Sequence, residues 1–309
     1  MSFQSRLGCW WIRLTMKRKP PGETALVDFT RRRFRPPNWI IALHSLGANI
    51  RRVAEPVKGE WISSRNDAGS ERVIYYLHGG GYISGSAKTN RPITVPLARR
   101  LKRRVFSLDY RLAPEHHFPA GLDDAVTGYR WLLSTGINPG NISVVGDSAG
   151  GGMALALAMR LRDSGEPVPA CLVCLSPWTD MTGSGNSITA NSECDPMFVT
   201  EDIHRYASAY LGRESRRDPL ASPLLGDLTG LPPLLVQVGR NEVLLDDARA
   251  LHAKVVAAGG SSELRIFDGV FHGWHFGTPF VPEAQQALRE IAEFIRRNEA
   301  GTPSCRKDR

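Results

Sequence analysis

The stretch Ile142-Ser143-Val144-Val145-Gly146-Asp147-Ser148-Ala149-Gly150 decides the fold. A short β-branched run ends in Gly-x-Ser-x-Gly, and residues 149–163, rich in Ala, Leu and Met, continue in a helical pattern. Strand, sharp turn and helix in that order throw the hydroxyl of the central serine out at the carboxyl edge of a sheet, and the glycines let backbones pack closely around it. The positive end of the following helix points at Ser148. Ser148 is therefore the candidate nucleophile. The competing interpretation, a glycine-rich turn with a bystander serine, has to be judged against what surrounds it.

Outward from this turn, short apolar runs alternate with helix-like stretches. Val73–Leu77, Val105–Leu108, Leu172–Leu175, Leu234–Val238 and Glu263–Phe267 read as further strands, and residues 90–102, 121–134, 149–163, 244–258 and 282–297 as helices. That alternation implies βαβ units and a mostly parallel central sheet flanked by helices, an α/β class. Residues 179–218 interrupt it with a polar, Gly- and Ser-containing segment that carries one helix near 200–211. The segment is too long for a plain connection, so it is expected to be functional. Residues 1–50 read as short helices broken at Pro20-Pro21 and Pro36-Pro37. Their apolar stripes (Trp10, Trp11, Leu14; Ile40, Ile41, Leu43, Leu46) need something to cover. The expected organisation is an N-terminal helical cap segment over 1–50, a main domain over 51–300 with a second cap segment at 179–218, and a disordered tail at 301–309.

Composition narrows the function classes. The chain has 309 residues, 42% of them hydrophobic, which is enough for a sizeable core. No run approaches the roughly 18 apolar residues of a membrane span. The start lacks the apolar core and cleavage site of a secretory signal, which leads to a cytoplasmic expectation. The five cysteines do not suggest a disulfide framework. Cys171 and Cys174 form a C-x-x-C, but it sits in an apolar strand run with no second ligand pair, so packing is expected there and not a metal. The formal net charge is +8, and the first 52 residues carry eleven Lys/Arg against two acids. A basic face can meet anionic lipid or nucleic acid, but no recognition motif accompanies it, and no nucleic-acid partner is expected.

Two further motifs surround Ser148. His78-Gly79-Gly80-Gly81 closes an earlier strand run, and tandem glycines there can turn backbone N–H groups towards a cleft. An acyl-transfer intermediate needs such donors, each worth about 3 kcal/mol. The expected oxyanion hole is Gly79, Gly80 and Ala149, with His78 bracing the loop. Phe271-His272-Gly273-Trp274-His275 follows the last strand run and supplies the base. His272 is favoured as the first histidine after the turn at Asp268-Gly269, and His275 is assigned to packing.

These pieces, together with Asp109-Tyr110-Arg111-Leu112-Ala113-Pro114-Glu115, resemble the hormone-sensitive-lipase family of esterases, bacterial family IV, over residues 55–298. The resemblance implies the α/β-hydrolase fold with a small helical cap, ester hydrolysis without metal or cofactor, and a preference for short acyl chains. One position departs from the pattern. The family acid sits in a loop resembling V-G-x-D-x-x-x-x-D, and here Val238-Gly239-Arg240-Asn241-Glu242-Val243-Leu244-Leu245-Asp246 puts Asn241 at that place. An amide can accept a bond from the imidazole but cannot stabilise the imidazolium. In a serine protease the same change costs about four decades in kcat. Asn241 is favoured on position, which predicts a slow enzyme; Glu242 is the alternative acid, and Asp246 a brace of the loop or a third candidate.

The expected function is a serine carboxylesterase acting on short-to-medium acyl esters through an acyl-enzyme. An N-acetyl or amide hydrolase would use the same site. From another class, a small-molecule binding protein on a hydrolase scaffold fits a defective acid position, as in plant gibberellin receptors. A lipid-surface hydrolase using the basic N-terminal segment is a third reading. Tyr82, Trp178, Phe198 and Trp274 are the expected pocket residues. The partner is a small-molecule ester, with no integral membrane association, and a homodimer is left open.

Overall fold

All six predicted strand runs enter one sheet, joined by two strands that the pattern did not announce. The computed structural model describes residues 1–64 and 70–299. The strands are β1 (Ala48–Val53), β2 (Gly59–Ser64), β3 (Val73–Leu77), β4 (Arg104–Leu108), β5 (Ile142–Asp147), β6 (Cys171–Leu175), β7 (Leu234–Gly239) and β8 (Ser262–Phe267), in the spatial order β1-β2-β4-β3-β5-β6-β7-β8. β1 and β2 pair antiparallel, as do β2 and β4, and every pair from β4 to β8 is parallel. β1 escaped notice because it is a half-exposed edge carrying Arg51 and Arg52, whose charges mask the strand signal. It begins at Ala48, so the boundary expected at residue 50 falls inside a strand. The expected tail, 301–309, lies outside the described residues.

The helices are α1 (Phe3–Met16), α2 (Glu23–Arg33), α3 (Asn38–Ser45), α4 (Arg91–Leu101), α5 (Ala120–Ser134), α6 (Ala149–Asp163), α7 (Ser187–Ala190), α8 (Thr200–Leu211), α9 (Leu245–Ala257) and α10 (Pro282–Glu299). Residues of the central strands alternate between two apolar layers. Val73, Tyr75 and Leu77 of β3 face the layer that α5, α6 and α9 complete, whereas Ile74 and Tyr76 face the layer of α4 and α10. Such strands are buried on both faces and therefore read as continuous apolar runs. The same alternation puts Cys171 in one layer and Cys174 in the other, on opposite faces of β6. Burial pushes the Cys171 thiol up to about 12 and the Cys174 thiol up as well. This C-x-x-C is packing, not a redox pair.

Parallel register brings the functional turns to one edge. Leu77 of β3 lies opposite Gly146 of β5, Asp147 opposite Leu175 of β6, and Gly239 of β7 opposite Phe267 of β8. Above that edge the N-terminal helices meet the 179–218 segment. Lys19 and Asp202 form a buried ion pair at 2.9 Å, and Thr30 shares a 2.7 Å hydroxyl bond with Tyr206. Arg31 grips the Glu115 carboxylate and the carbonyl of Ile83. In the Asp109–Glu115 stretch, Asp109 accepts from the Ala87 N–H and Arg111 pairs with Asp124, so its charges brace loops.

Candidate active site

Ser148 occupies a strained backbone conformation, φ 54° and ψ −119°, between β5 and α6. Positive φ is costly for a residue with a Cβ and persists only where surroundings enforce it. Here the Ser148 N–H donates to the Leu175 carbonyl at 2.7 Å, and its own carbonyl accepts from Gly151, Gly152 and Trp178. The two motif glycines are steric necessities. A Cβ on Gly146 would run into the carbonyl of Gly150, and one on Gly150 into the carbonyl of Leu77.

In the loop after β3, the Gly79 N–H expected to face the oxyanion is already engaged. Gly79 donates its N–H to Asp147 Oδ1 at 2.9 Å, on the carboxylate oxygen that also takes the Tyr76 hydroxyl at 2.6 Å. Gly79 therefore has no N–H to offer an oxyanion. The N–H groups of Gly80 and Gly81 have no partner among the described residues, and Ala149 is the first residue of α6, where the helix leaves the N–H unspent. Gly81 also lines the cavity at Ser148, which Gly79 does not. His78 braces the loop as expected: it is buried, stacks on Tyr110 at 4.1 Å and reaches the Gly79 carbonyl through Nδ1.

His272 Nδ1 lies 2.6 Å from Glu242 Oε2. The other Glu242 oxygen accepts from the Gly239 N–H at 2.6 Å and the Ser176 hydroxyl at 2.7 Å, so a fully buried carboxylate has every contact a charge needs. Asn241, favoured on position, is exposed at the tip of the turn and does not touch the imidazole. The physical reason lies in the turn. The Glu242 N–H bonds back to the Gly239 carbonyl, which swings residue 242 inward and residue 241 out. Asp246 instead accepts from the Ser187 N–H and pairs with Arg249, the bracing role allowed for it. Burial lowers the His272 pKa, but the carboxylates of Glu242, Asp195 and Asp147 outweigh it and hold the imidazole above its ordinary value. Nδ1 is engaged, which leaves Nε2 for a serine hydroxyl. Phe198, whose ring stands edge-on to His272 at 5.0 Å, lines the same cavity as Ser148.

A family model described as alpha/beta hydrolase fold matches residues 74–276. An acetyl-hydrolase of Streptomyces hygroscopicus is 44% identical over 237 residues, 77% of this chain and 79% of the relative. An esterase of Acinetobacter venetianus is 38% identical over 239 residues, 77% of this chain and 78% of the relative. A crystal structure of an esterase from the bacterial hormone-sensitive lipase family superposes with a TM-score of 0.88 at 41% identity, covering 97% of this chain and 99% of that one. The chain belongs to the hormone-sensitive-lipase family of α/β-hydrolases.

The cavity of this hydrolase is narrow and lined by Phe34, Gly81, Ser148, Trp178, Phe198, Ile203, Tyr206 and Leu244. Of the four expected pocket residues, Trp178 and Phe198 are present. Tyr82 is stacked on Tyr210 at 3.8 Å, and Trp274 is fully buried between Phe267 and His275, so both belong to the core. His275 packs as assigned: its Nε2 lies 3.0 Å from Gln237 Oε1, and burial drives its pKa down to about 3.

Sequence reasoning missed Ser176, and it missed Asp195, whose buried carboxylate accepts from the N–H groups of Met197, Phe198 and Val243. Asp195 thereby ties the Phe198 loop to the Glu242 loop. Neither residue sits in a motif. Gly81 was in view as the third glycine of its run. Among the described residues no group of three or more His, Cys, Asp or Glu side chains is placed to hold a metal ion.

Proposed function

We propose that this protein is a serine carboxylesterase working through an acyl-enzyme. Ser148 attacks the ester carbonyl while His272 Nε2 takes its proton. The N–H groups of Gly80, Gly81 and Ala149 receive the oxyanion, and the protonated imidazole returns the proton to the departing alcohol. Water then repeats the sequence on the acyl-Ser148 ester. Glu242 is the triad acid, holding the tautomer and stabilising the imidazolium. The observation that carries this reading is the 2.6 Å contact of Glu242 with His272 Nδ1 beside a nucleophile elbow. The same contact argues against a non-catalytic binding protein, whose motive was an incomplete triad.

The N-terminal helices and the 179–218 segment act as a cap that closes the acyl pocket. Phe34 from one and Phe198, Ile203 and Tyr206 from the other support that role, and the narrowness of the cavity favours short acyl groups. The test is hydrolysis of p-nitrophenyl acetate and longer homologues, with fluorophosphonate labelling. Turnover falling with chain length and a label lost in Ser148→Ala are expected; absence of both turnover and label overturns the reading. p-Nitroacetanilide, run alongside, separates ester from amide hydrolysis.

A further inference from the structure

α1 is apolar on two opposite faces. Its inner face, Ser5, Ile12 and Met16, is buried, and a Cβ on Gly8 would stand 2.6 Å from the Phe271 ring. Ser5 Oγ donates to the Gly269 carbonyl at 2.8 Å. The helix therefore rests on the loop that delivers His272. Further along, Arg13 donates to the Cys194 carbonyl, and the Lys17 ammonium to those of Ser192, Glu193 and Asp195.

The outer face is Phe3, Leu7, Trp10, Trp11 and Leu14, a spacing that puts all five side chains on one stripe. Each is 52% to 75% exposed. Isolated exposed apolar residues need no explanation, but a contiguous stripe of five with two tryptophans marks a contact surface. Its border carries Arg6 and Arg18, both exposed without an ion pair among the described residues, and residues 1–19 contain no acid.

We propose that α1 docks this enzyme onto an anionic lipid surface, with the stripe in the acyl boundary and Arg6 and Arg18 at the headgroups. An apolar face with interfacial tryptophans and a basic border is what such a surface accepts. A second copy of the chain is disfavoured by charge. Self-pairing of the stripe would set Arg6 and Arg18 of each copy together; residues 1–19 supply no acid to offset them, and the Glu283 carboxylate beside the helix start already accepts from the N–H and hydroxyl of Ser2. The docked helix would hold the His272 loop close to the lipid, so that esters dissolved in or anchored to the membrane meet the site.

The test is co-sedimentation of the full chain with vesicles of phosphatidylcholine alone and of phosphatidylcholine mixed with phosphatidylglycerol. The protein is expected to pellet with the mixed vesicles, less so as salt rises. Trp10→Ser/Trp11→Ser and, independently, Phe3→Ser/Leu7→Ser should each weaken binding at least about tenfold. Both variants should leave p-nitrophenyl acetate turnover in solution within about twofold, because the substitutions are on the surface. The readout is binding, so it stands apart from the ester reading. Failure of the wild type to pellet, or equal pelleting of the variants, overturns the proposal. So does a dimer in sedimentation velocity that Trp10→Ser/Trp11→Ser disperses, which would give the stripe to a second copy.

Discussion

The turn that leaves β5 and the turn that leaves β7 emerge from the same edge of the sheet but are held in different ways. The β5 turn is held by backbone. Ser148 keeps its positive φ because its N–H and carbonyl are both engaged, and because Gly146 and Gly150 have no room for a methyl group. The β7 turn is held by a side chain. The Glu242 carboxylate folds back onto the Gly239 N–H, takes the Ser176 hydroxyl and presents its other oxygen to His272. A turn held by backbone should break when an atom is added, and one held by a side chain when a charge is removed.

The largest expected effect follows from removing that charge. Glu242→Gln keeps the shape and loses the anion, and should lower kcat on p-nitrophenyl acetate by about 10³- to 10⁴-fold, the scale known for the equivalent change in a serine protease. A loss under about tenfold would mean that the acid lies elsewhere. Adding an atom to the other turn comes next. Gly150→Ala should cost about 2–4 kcal/mol, read as a fall in the urea midpoint, because its Cβ would meet backbone that has little room to move. An unchanged midpoint would show that the elbow is not held sterically.

A pH profile sharpens the comparison further. Burial pushes His272 down and its carboxylate neighbours pull it up by more, so its pKa is raised. The base works only when neutral. The acid limb of kcat/KM should therefore lie above about 6.5, the ordinary histidine value, and move down in Glu242→Gln as the main counter-charge goes. Coincident limbs in the two proteins would remove Glu242 from the account. The smallest effect is expected one residue away: Asn241→Asp should change kcat by less than about threefold, because this side chain faces solvent. A tenfold gain would restore Asn241 to the acid position.

How much of the site was legible follows the same division. Ser148 and His272 follow strand runs in recognisable turns, and the parallel register of β3, β5, β7 and β8 carries those turns to one edge. Gly79 was expected among the oxyanion donors, and nothing local says that Asp147, at the end of the neighbouring strand, claims its N–H. Asn241 and Glu242 are adjacent polar residues in a turn, and sequence spacing alone does not say which one points inward. Tyr82 and Trp274 had the chemistry of pocket residues and the positions of core residues. Phe34, Ile203 and Tyr206 reach Ser148 only because two distant segments fold together above it.

Alternating apolar runs, two glycine motifs after strands and a histidine after the last strand were enough, by themselves, to determine the α/β-hydrolase architecture and the class of chemistry. These are local properties, set by side-chain periodicity and backbone sterics within a few residues. Which carboxylate faces His272, which N–H groups remain free and which aromatics close the pocket were decided by tertiary structure. So was the exposure of the outer face of α1: its pattern reads as apolar in the sequence, and only packing against the Gly269–Phe271 loop shows which side is left uncovered. Those outcomes depend on competition for hydrogen bonds and space between segments far apart in the chain, and local patterning carries no record of it.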